Sequence, residues 1–314
     1  MLTRRSLLAA LPASVACAGA ARAATPKQLR IGYQKGEPVL VAAKQNHSFE
    51  TKLQPLGIDV LWLEFEFGPP LLEAMRVGAI DIGGVGDAPP VFAQAAQAEL
   101  VYFAARPDSG NSSAILLPPG SELHTLADLR GKRIAFGRGS SAHSLTLQAL
   151  EKAGIAYSDI KPITLGPADA VAAFAHGDLD AWTVWDPYAA ITETKPGVRV
   201  LARTADIGPQ NSFYLASRDY ATHYGEVLGH VVQNLASVGA LCDANHDEVA
   251  RLLAGGTGIS FDAWKRAADR GSFRSVPIDA AVLAQQQQVA DRFYALRLIP
   301  AAVKVRDYAW RAAS

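Results

Sequence analysis

The sequence predicts an α/β protein of two similar lobes, each a mostly parallel sheet flanked by helices, with a cleft between them. Three observations carry this expectation. Strand-like and helix-like patterns alternate from Leu29 to about residue 203, as they do where helices cross between parallel strands. Two short stretches each occur twice. Leu29-Arg-Ile-Gly-Tyr-Gln-Lys-Gly36 is echoed by Lys132-Arg-Ile-Ala-Phe-Gly-Arg-Gly139, and Val77-Gly-Ala-Ile-Asp81 by His176-Gly-Asp-Leu-Asp180. The first echo is offset by 103 residues (Ile31 to Ile134) and the second by 99 (Gly78 to Gly177). The same order at nearly the same spacing points to one βα layout used twice. Finally, polar stretches near 106–113 and 204–210 break the pattern where the chain would cross between lobes and back. The lobes are then 27–108 joined by 207–314, and 109–206.

The elements follow in order. Leu29–Tyr33 reads as a strand, and the turn Gln34–Pro38 leads to a helix near Val39–Lys44. Ile58–Phe65 is a second strand. A helix over Leu71–Val77 is opened by Gly68-Pro69-Pro70, since proline in a first turn lacks only an N–H that would be unpaired anyway. Gly78–Gly83 reads as a short strand, Gly84–Pro90 as its loop, Val91–Ala98 as a helix and Leu100–Ala104 as a strand. Beyond the first crossing, Ile115–Leu117 returns as a strand and Leu126–Lys132 as a short helix and turn. Arg133–Phe136 is an apolar run, followed by the loop Gly137-Arg-Gly-Ser-Ser-Ala-His143. Apolar residues at 145, 147, 149, 150 and 153 form one helical face, and Gly154 stops that helix. Ile160–Leu165 reads as a strand, Pro167–His176 as a helix, Gly177–Pro187 as a strand ending in an aromatic and acidic loop, and Val198–Arg203 as a strand. After Tyr220 the chain is mainly helical, and Gln285–Gln288 sits on a solvated helix face.

Composition excludes several classes. The chain has 314 residues, 49% hydrophobic and 19% charged, which suits a globular protein long enough for two domains. Thr3-Arg4-Arg5-Ser6-Leu7-Leu8, an apolar stretch to Ala21 and the A-x-A-like site Ala21-Arg22-Ala23 read as a twin-arginine export signal over residues 1–23. Without it, 27 basic residues face 30 acidic ones, a net −3, which offers nothing to nucleic acid. Cys17 leaves with the signal. Cys242, in the apolar pattern Val231–Cys242, is then a lone core thiol rather than a nucleophile. Neither G-x-S-x-G nor H-E-x-x-H occurs. His223 and His230 are seven apart with no second ligand pair, so neither a metal nor another cofactor is expected. Glu64 and Glu66 alternate on a strand, which explains them without acid–base chemistry.

The stretch 137–143 is where the chemistry concentrates. Strand, Gly/Ser loop and helix start place unpaired backbone N–H groups and the positive end of the helix dipole together, a ready anion site. Gly139, Ser140, Ser141, Ala142 and His143 are its candidate donors, through backbone, hydroxyl and imidazole; alternatively a serine merely caps the helix. The equivalent loops 34–38, 84–90 and 183–187 leave the same edge of their sheets, where ligands sit in open α/β folds. They contribute Gln34 (an amide donor or an ordinary turn residue) and the backbone of Gly86, Asp87 and Ala88. Asp87 itself would repel an anion, so it caps the next helix or meets a cationic group. Trp185 offers an apolar wall, whereas Trp182 on the same strand belongs to the core. Asp186 lines the loop or caps a turn before Pro187. Gln210, Asn211, Phe213 and Tyr214 follow the second crossing and reach toward the cleft.

These motifs resemble a known family. Ile31-Gly-Tyr-Gln-Lys35, Gly68–Asp81, Gly86-Asp-Ala-Pro-Pro-Val-Phe-Ala-Gln-Ala-Ala96, Gly139-Ser-Ser-Ala-His143 and Asp180-Ala-Trp-Thr-Val-Trp-Asp-Pro187 are similar, in that order, to aliphatic-sulfonate-binding proteins of ABC importers. Taurine- and nitrate-binding relatives are resembled more loosely. The resemblance implies a periplasmic-binding-protein fold of the type II kind and a monomeric receptor. Such a receptor hands a small organosulfonate to an inner-membrane permease and performs no chemistry. Glu66 and Phe67 depart from the smaller residues expected before Gly68 and bear on substrate choice. Two alternatives stay open: a desulfinase-like enzyme, which would need a cysteine in the cleft, and a receptor for a thiamin-pyrimidine-like heterocycle stacked on Trp185.

Overall fold

The computed structural model describes residues 25–311; the expected export signal and Cys17 lie outside them. Ten strands form two five-stranded sheets. Those of the first are β1 (Gln28–Gln34), β2 (Asp59–Phe65), β3 (Ile82–Val85), β4 (Leu100–Pro107) and, after a long excursion, β10 (Asn211–Ser217). Those of the second are β5 (Ser113–Leu117), β6 (Arg133–Phe136), β7 (Lys161–Thr164), β8 (Ala181–Trp185) and β9 (Arg199–Arg203). The spatial orders are β2-β1-β3-β10-β4 and β7-β6-β8-β5-β9. In the first sheet β1, and in the second β6, lies parallel between its two neighbours. One strand in each, β10 or β5, runs antiparallel to both of its partners. Those two strands are delivered by the crossings: the chain leaving the first sheet lays β5 into the second, and the returning chain lays β10 into the first. Two copies of one layout, each completed by a strand following a crossing, make the two-lobed α/β architecture.

The sequence echoes have a single cause. The Arg30 backbone N–H donates to Asp81 Oδ2 at 2.7 Å, and its guanidinium reaches Asp81 Oδ1 and the Gly78 carbonyl, both at 2.5 Å. In the other lobe the Arg133 backbone N–H donates to Asp180 Oδ2 at 2.7 Å, and its guanidinium reaches Asp180 Oδ1 at 2.9 Å and the Gly177 carbonyl at 3.2 Å. An arginine near the start of β1 or β6 thus clamps the Gly-x-x-Asp turn that feeds β3 or β8. The turn needs glycine because Gly78 and Gly177 hold φ of +73° and +77°, the left-handed region that other residues avoid.

Element boundaries shift where caps decide them. The strand expected over Gly78–Gly83 is β3, starting at Ile82, because the clamp occupies the preceding turn. The helix expected at Val91 starts at Ala88, with Pro89 and Pro90 in its first turn and Asp87 accepting from the Ala88 N–H. The helix carrying the apolar face at 145–153 starts at Ser141, capped by Ser140. The stretch after the second crossing is a full strand, β10, whose run Phe213–Ala216 is buried on both faces and so lacks the alternation that marks a half-exposed strand. Each sheet is covered on both faces by apolar clusters. Trp182 is buried in the second lobe and Cys242 in the first, and burial pushes the Cys242 thiol up to about 12. No described helix is long and apolar enough to cross a membrane.

Removing either clamp carboxylate should destabilise its lobe by about 1.5–3 kcal/mol, the range for hydrogen bonds to charged groups. Asp81→Ala should cost more than Asp180→Ala, since the Asp81 side chain is 8% exposed and that of Asp180 31%. Urea unfolding of both variants measures the difference, and equal or reversed costs would refute the ranking.

Candidate functional site

A cavity of about 80 Å3 lies between the lobes. Its walls come from the loops after β1 (Gln34, Gly36, Glu37), β3 (Val85, Gly86), β6 (Ser140, Ser141) and β8 (Trp185, Asp186). Both crossings add to it through Asp108 and Ser112 and through Gln210 and Asn211, and the helix Phe261–Arg270 through Trp264. The lobes approach closely because two loops carry glycine. A Cβ on Gly36 would sit 2.6 Å from Trp185 Nε1, and one on Gly86 2.7 Å from Ser141 Cβ.

At the helix start the serines divide their work. Ser140 Oγ donates to the Gly137 carbonyl at 2.6 Å and accepts from the His143 N–H at 3.4 Å, so its hydroxyl is spent on the turn. Ser141 lines the cavity. As the first two helical positions, Ser141 and Ala142 carry backbone N–H groups with no acceptor inside the helix. Gln34 Nε2 donates to the Gly84 carbonyl at 2.7 Å, leaving its second amide hydrogen for the cavity.

Several expected site residues lie elsewhere. The imidazole of His143 is not a cleft donor. It stacks on Phe136, with centroids 4.6 Å apart at 13°, and packs edge-on against Phe293, because this helix position points into the apolar seam between the lobes. Its Nδ1 accepts from the Gly139 N–H at 3.2 Å, which also removes that amide as a ligand donor. Burial, reinforced by Arg138, holds its pKa down at about 3. Phe213 is core, edge-on to Tyr102 at 4.9 Å in an apolar cluster of the first lobe; Tyr214 is likewise buried. The Ala142 side chain and Ala88 are buried, and the Ala88 N–H is taken by Asp87.

Asp87 does not line the cavity either. Besides capping its helix, its carboxylate accepts from Ser144 Oγ of the other lobe at 2.7 Å and from Gln210 Nε2 of the second crossing at 3.3 Å. All these partners are neutral, so burial pushes its pKa up to about 6. Asp186 caps a turn by accepting from the Ala190 N–H at 3.0 Å, and it also meets Arg270. Burial raises its pKa, partly offset by that guanidinium. Glu66 lies across the cleft against Gly166, and Phe67 against Gly137.

Sequence reading missed the charges of the cavity wall. Arg106, at the end of β4, is 11% exposed and faces Glu37 at 3.4 Å. It donates to the Ser272 carbonyl at 3.0 Å, and its buried Nε is the atom that faces Glu37 Oε1, an ion-pair contact outside hydrogen-bond geometry. Glu37 spends its oxygens on the Leu40 N–H at 2.7 Å and the Tyr214 hydroxyl at 3.0 Å. The only signal was a charge-bearing Arg-Pro-Asp at the head of a crossing. Among the described residues no group of three or more His, Cys, Asp or Glu could hold a metal ion.

The two-lobed architecture is also found in known proteins. The chain is 41% identical over 299 residues to the aliphatic sulfonates-binding protein of Escherichia coli (strain K12), covering 95% of this chain and 93% of that protein. This chain belongs to the aliphatic-sulfonate-binding protein family. Residues 69–223 also match the family described as ABC transporter, phosphonate, periplasmic substrate-binding protein. The crystal structure of the periplasmic aliphatic sulphonate binding protein SsuA from Escherichia coli matches with a TM-score of 0.85, covering 92% of this chain and 94% of that one at 41% identity. The alkanesulfonate-binding SsuA from Xanthomonas axonopodis pv. citri, bound to MOPS, matches with a TM-score of 0.87 at 42% identity, covering 92% and 100%.

Two expectations follow. Arg106→Leu should cost about 3–5 kcal/mol of stability by stranding the buried Glu37, and adding Glu37→Gln should restore part of it. A double variant no more stable than the single one would show that the two groups are not coupled. For Asp87, a carboxyl whose folded pKa is raised stabilises the fold below its ordinary value, and that stability is lost as pH rises through about 6. About two pKa units correspond to ~3 kcal/mol. The buried neutral His143 acts with the opposite sign, since its depressed pKa costs stability as pH falls below its ordinary 6.5. That contribution is common to wild type and Asp87→Asn and cancels in their difference. The stability of wild type relative to Asp87→Asn should therefore fall between pH 4 and 7, and a flat difference curve would contradict the buried charge.

Proposed function

We propose that this chain captures a small aliphatic sulfonate between its lobes, 27–108 with 207–314 and 109–206, and presents it to an inner-membrane ABC permease. It does so as a monomer in the periplasm, exported through the twin-arginine signal at 1–23. The single observation that carries the ligand class is the interlobe cavity into which a helix start projects free donors. There the first-turn N–H groups and the Ser141 hydroxyl stand opposite Gly86, with Gln34 beside them. Neutral donors of this kind suit a permanent monoanion with three acceptor oxygens. The indole of Trp185 supplies an apolar wall for the carbon chain.

Hydrolytic or desulfinase chemistry lacks support in the same geometry. The Cys242 thiol is buried among apolar side chains of the first lobe, and the His143 ring bonds to a backbone N–H rather than to a serine. Binding followed by lobe closure is the whole of the proposed activity.

Calorimetric titration of the ligand-free chain tests it, using ethanesulfonate, octanesulfonate, taurine, nitrate, methylphosphonate and a pyrimidine precursor. Binding of an alkanesulfonate near a micromolar, about −8 kcal/mol, with the matching alcohol silent, is the expected outcome. Heat from the phosphonate or the pyrimidine alone would keep the fold and replace the ligand. Ser141→Ala should weaken sulfonate binding by about 1–3 kcal/mol. Ser140→Ala should instead lower stability through its cap, and the reverse pattern would relocate the hydroxyl donor.

A further inference from the structure

Arg270 is the last residue of the helix Phe261–Arg270, whose Trp264 is buried in the core of the first lobe. Its guanidinium reaches into the second lobe. There Nε and Nη2 donate to the two oxygens of Asp186 at 2.7 and 2.5 Å, and Nη1 to the two oxygens of Glu193 at 2.9 and 3.1 Å. The arginine side chain is 14% exposed, and the two carboxylates 8% and 9%. This is the fork geometry in which arginine holds carboxylates well. Glu193 has a second guanidinium within its own lobe, Arg203 at 3.0 Å, whereas Asp186 keeps only the Ala190 N–H without Arg270. The carbonyl of Arg270 accepts from Ser109 Oγ in the first crossing, and Arg203 donates to the Asn111 carbonyl in the same crossing at 3.1 Å. The cluster therefore links both lobes and the segment that joins them.

Its position ties it to the ligand. Asp186 and Gly271 line the cavity, and Asp186 directly follows Trp185, whose indole forms the wall against Gly36. We propose that Arg270 is the latch of the closed receptor: a positioning residue that touches no ligand but, through Asp186, holds Trp185 over the cavity and sets the closing equilibrium. This inference rests on the ligand-closing function above. When the lobes part, water solvates both Asp186 and Arg270. When they meet, the two ions lose water together and each supplies what the other has lost. A neutral side chain at 270 leaves Asp186 desolvated and unpaired on closing, so the penalty falls on the closed form alone.

The test compares wild type, Arg270→Gln and Arg270→Lys side by side with octanesulfonate and ethanesulfonate, measuring affinity, dissociation rate and the melting temperature of the ligand-free chains. Arg270→Gln should weaken binding by about 10- to 100-fold, mostly through faster dissociation, with the ligand-free melting temperature unchanged. Arg270→Lys keeps the charge but not the fork and should fall between. Wild-type affinity in Arg270→Gln overturns the latch. So does a Lys variant as weak as the Gln variant, or an affinity loss that comes with a destabilised ligand-free chain. A wild type silent to every sulfonate sinks the ligand class instead. The latch is then read with whichever of taurine, nitrate, methylphosphonate or the pyrimidine precursor binds the wild type, where Arg270→Gln must dissociate faster, and equal dissociation rates overturn it.

Discussion

Polar and charged groups buried between two lobes impose the constraint on which the molecule depends. A carboxylate removed from water needs donors, and here many of the donors come from the opposite lobe or from a crossing. Asp87 takes Ser144 and Gln210, Asp186 and Glu193 take Arg270, and Gln210 also donates to the Ser141 carbonyl at 2.9 Å. Such a seam fixes the register in which the lobes meet, because a slide of one hydrogen-bond length would strand several groups at once. Apolar contacts alone, such as the packing of His143 between Phe136 and Phe293, would not specify position so sharply.

The site follows from duplication. Because each lobe repeats the same strand order, the loops after β1 and β3 have counterparts after β6 and β8, and facing the lobes brings all four together. The clamps of Arg30 on Asp81 and Arg133 on Asp180 sit near the start of β1 and β6, at the end away from the cleft. The duplicated parts that stabilise the lobes are thereby separated from the loops that diverge to make a site. One loop set became the helix start at Ser141, and the other supplied Gly36 and Gly86 as landing space.

That separation also explains what could be read in advance. The clamp leaves a sequence trace, since the same residue types recur at nearly the same offset, and the two lobes were legible from it together with the alternation of elements. Ser140 as cap and Ser141 at the helix start were legible because local rules decide them. The role of His143 was not. Its side chain is placed by rotation around the helix and by aromatic residues as distant as Phe293. Arg106, Glu37 and Arg270 were illegible for a related reason. Each owes its meaning to a partner far away in the chain, Glu37 from Arg106 by 69 positions and Asp186 from Arg270 by 84, and no local pattern marks such pairs. Phe213 illustrates the remaining difficulty, because on a strand buried on both faces the residue facing the cavity cannot be told from its neighbour.

Charge distribution bears on the choice between anions. The cavity wall carries one arginine, Arg106, against three carboxylates, Glu37, Asp108 and Asp186. Arg106 is already committed to Glu37, and Asp186 to Arg270 from outside the wall. No uncommitted positive charge is left for a ligand, so the attraction must come from dipoles: the helix start, a hydroxyl and an amide. Dipoles of this strength accommodate a single negative charge, and the helix end contributes about half a charge. A phosphonate near neutral pH carries a second charge, for which the wall offers no cation, and Asp108 stands nearby to repel it. A sulfonate carries one charge at any working pH and spreads it over three oxygens, each able to accept from a neutral donor. The wall is therefore better matched to a sulfonate than to a phosphonate, although residues 69–223 also match a family described by the latter.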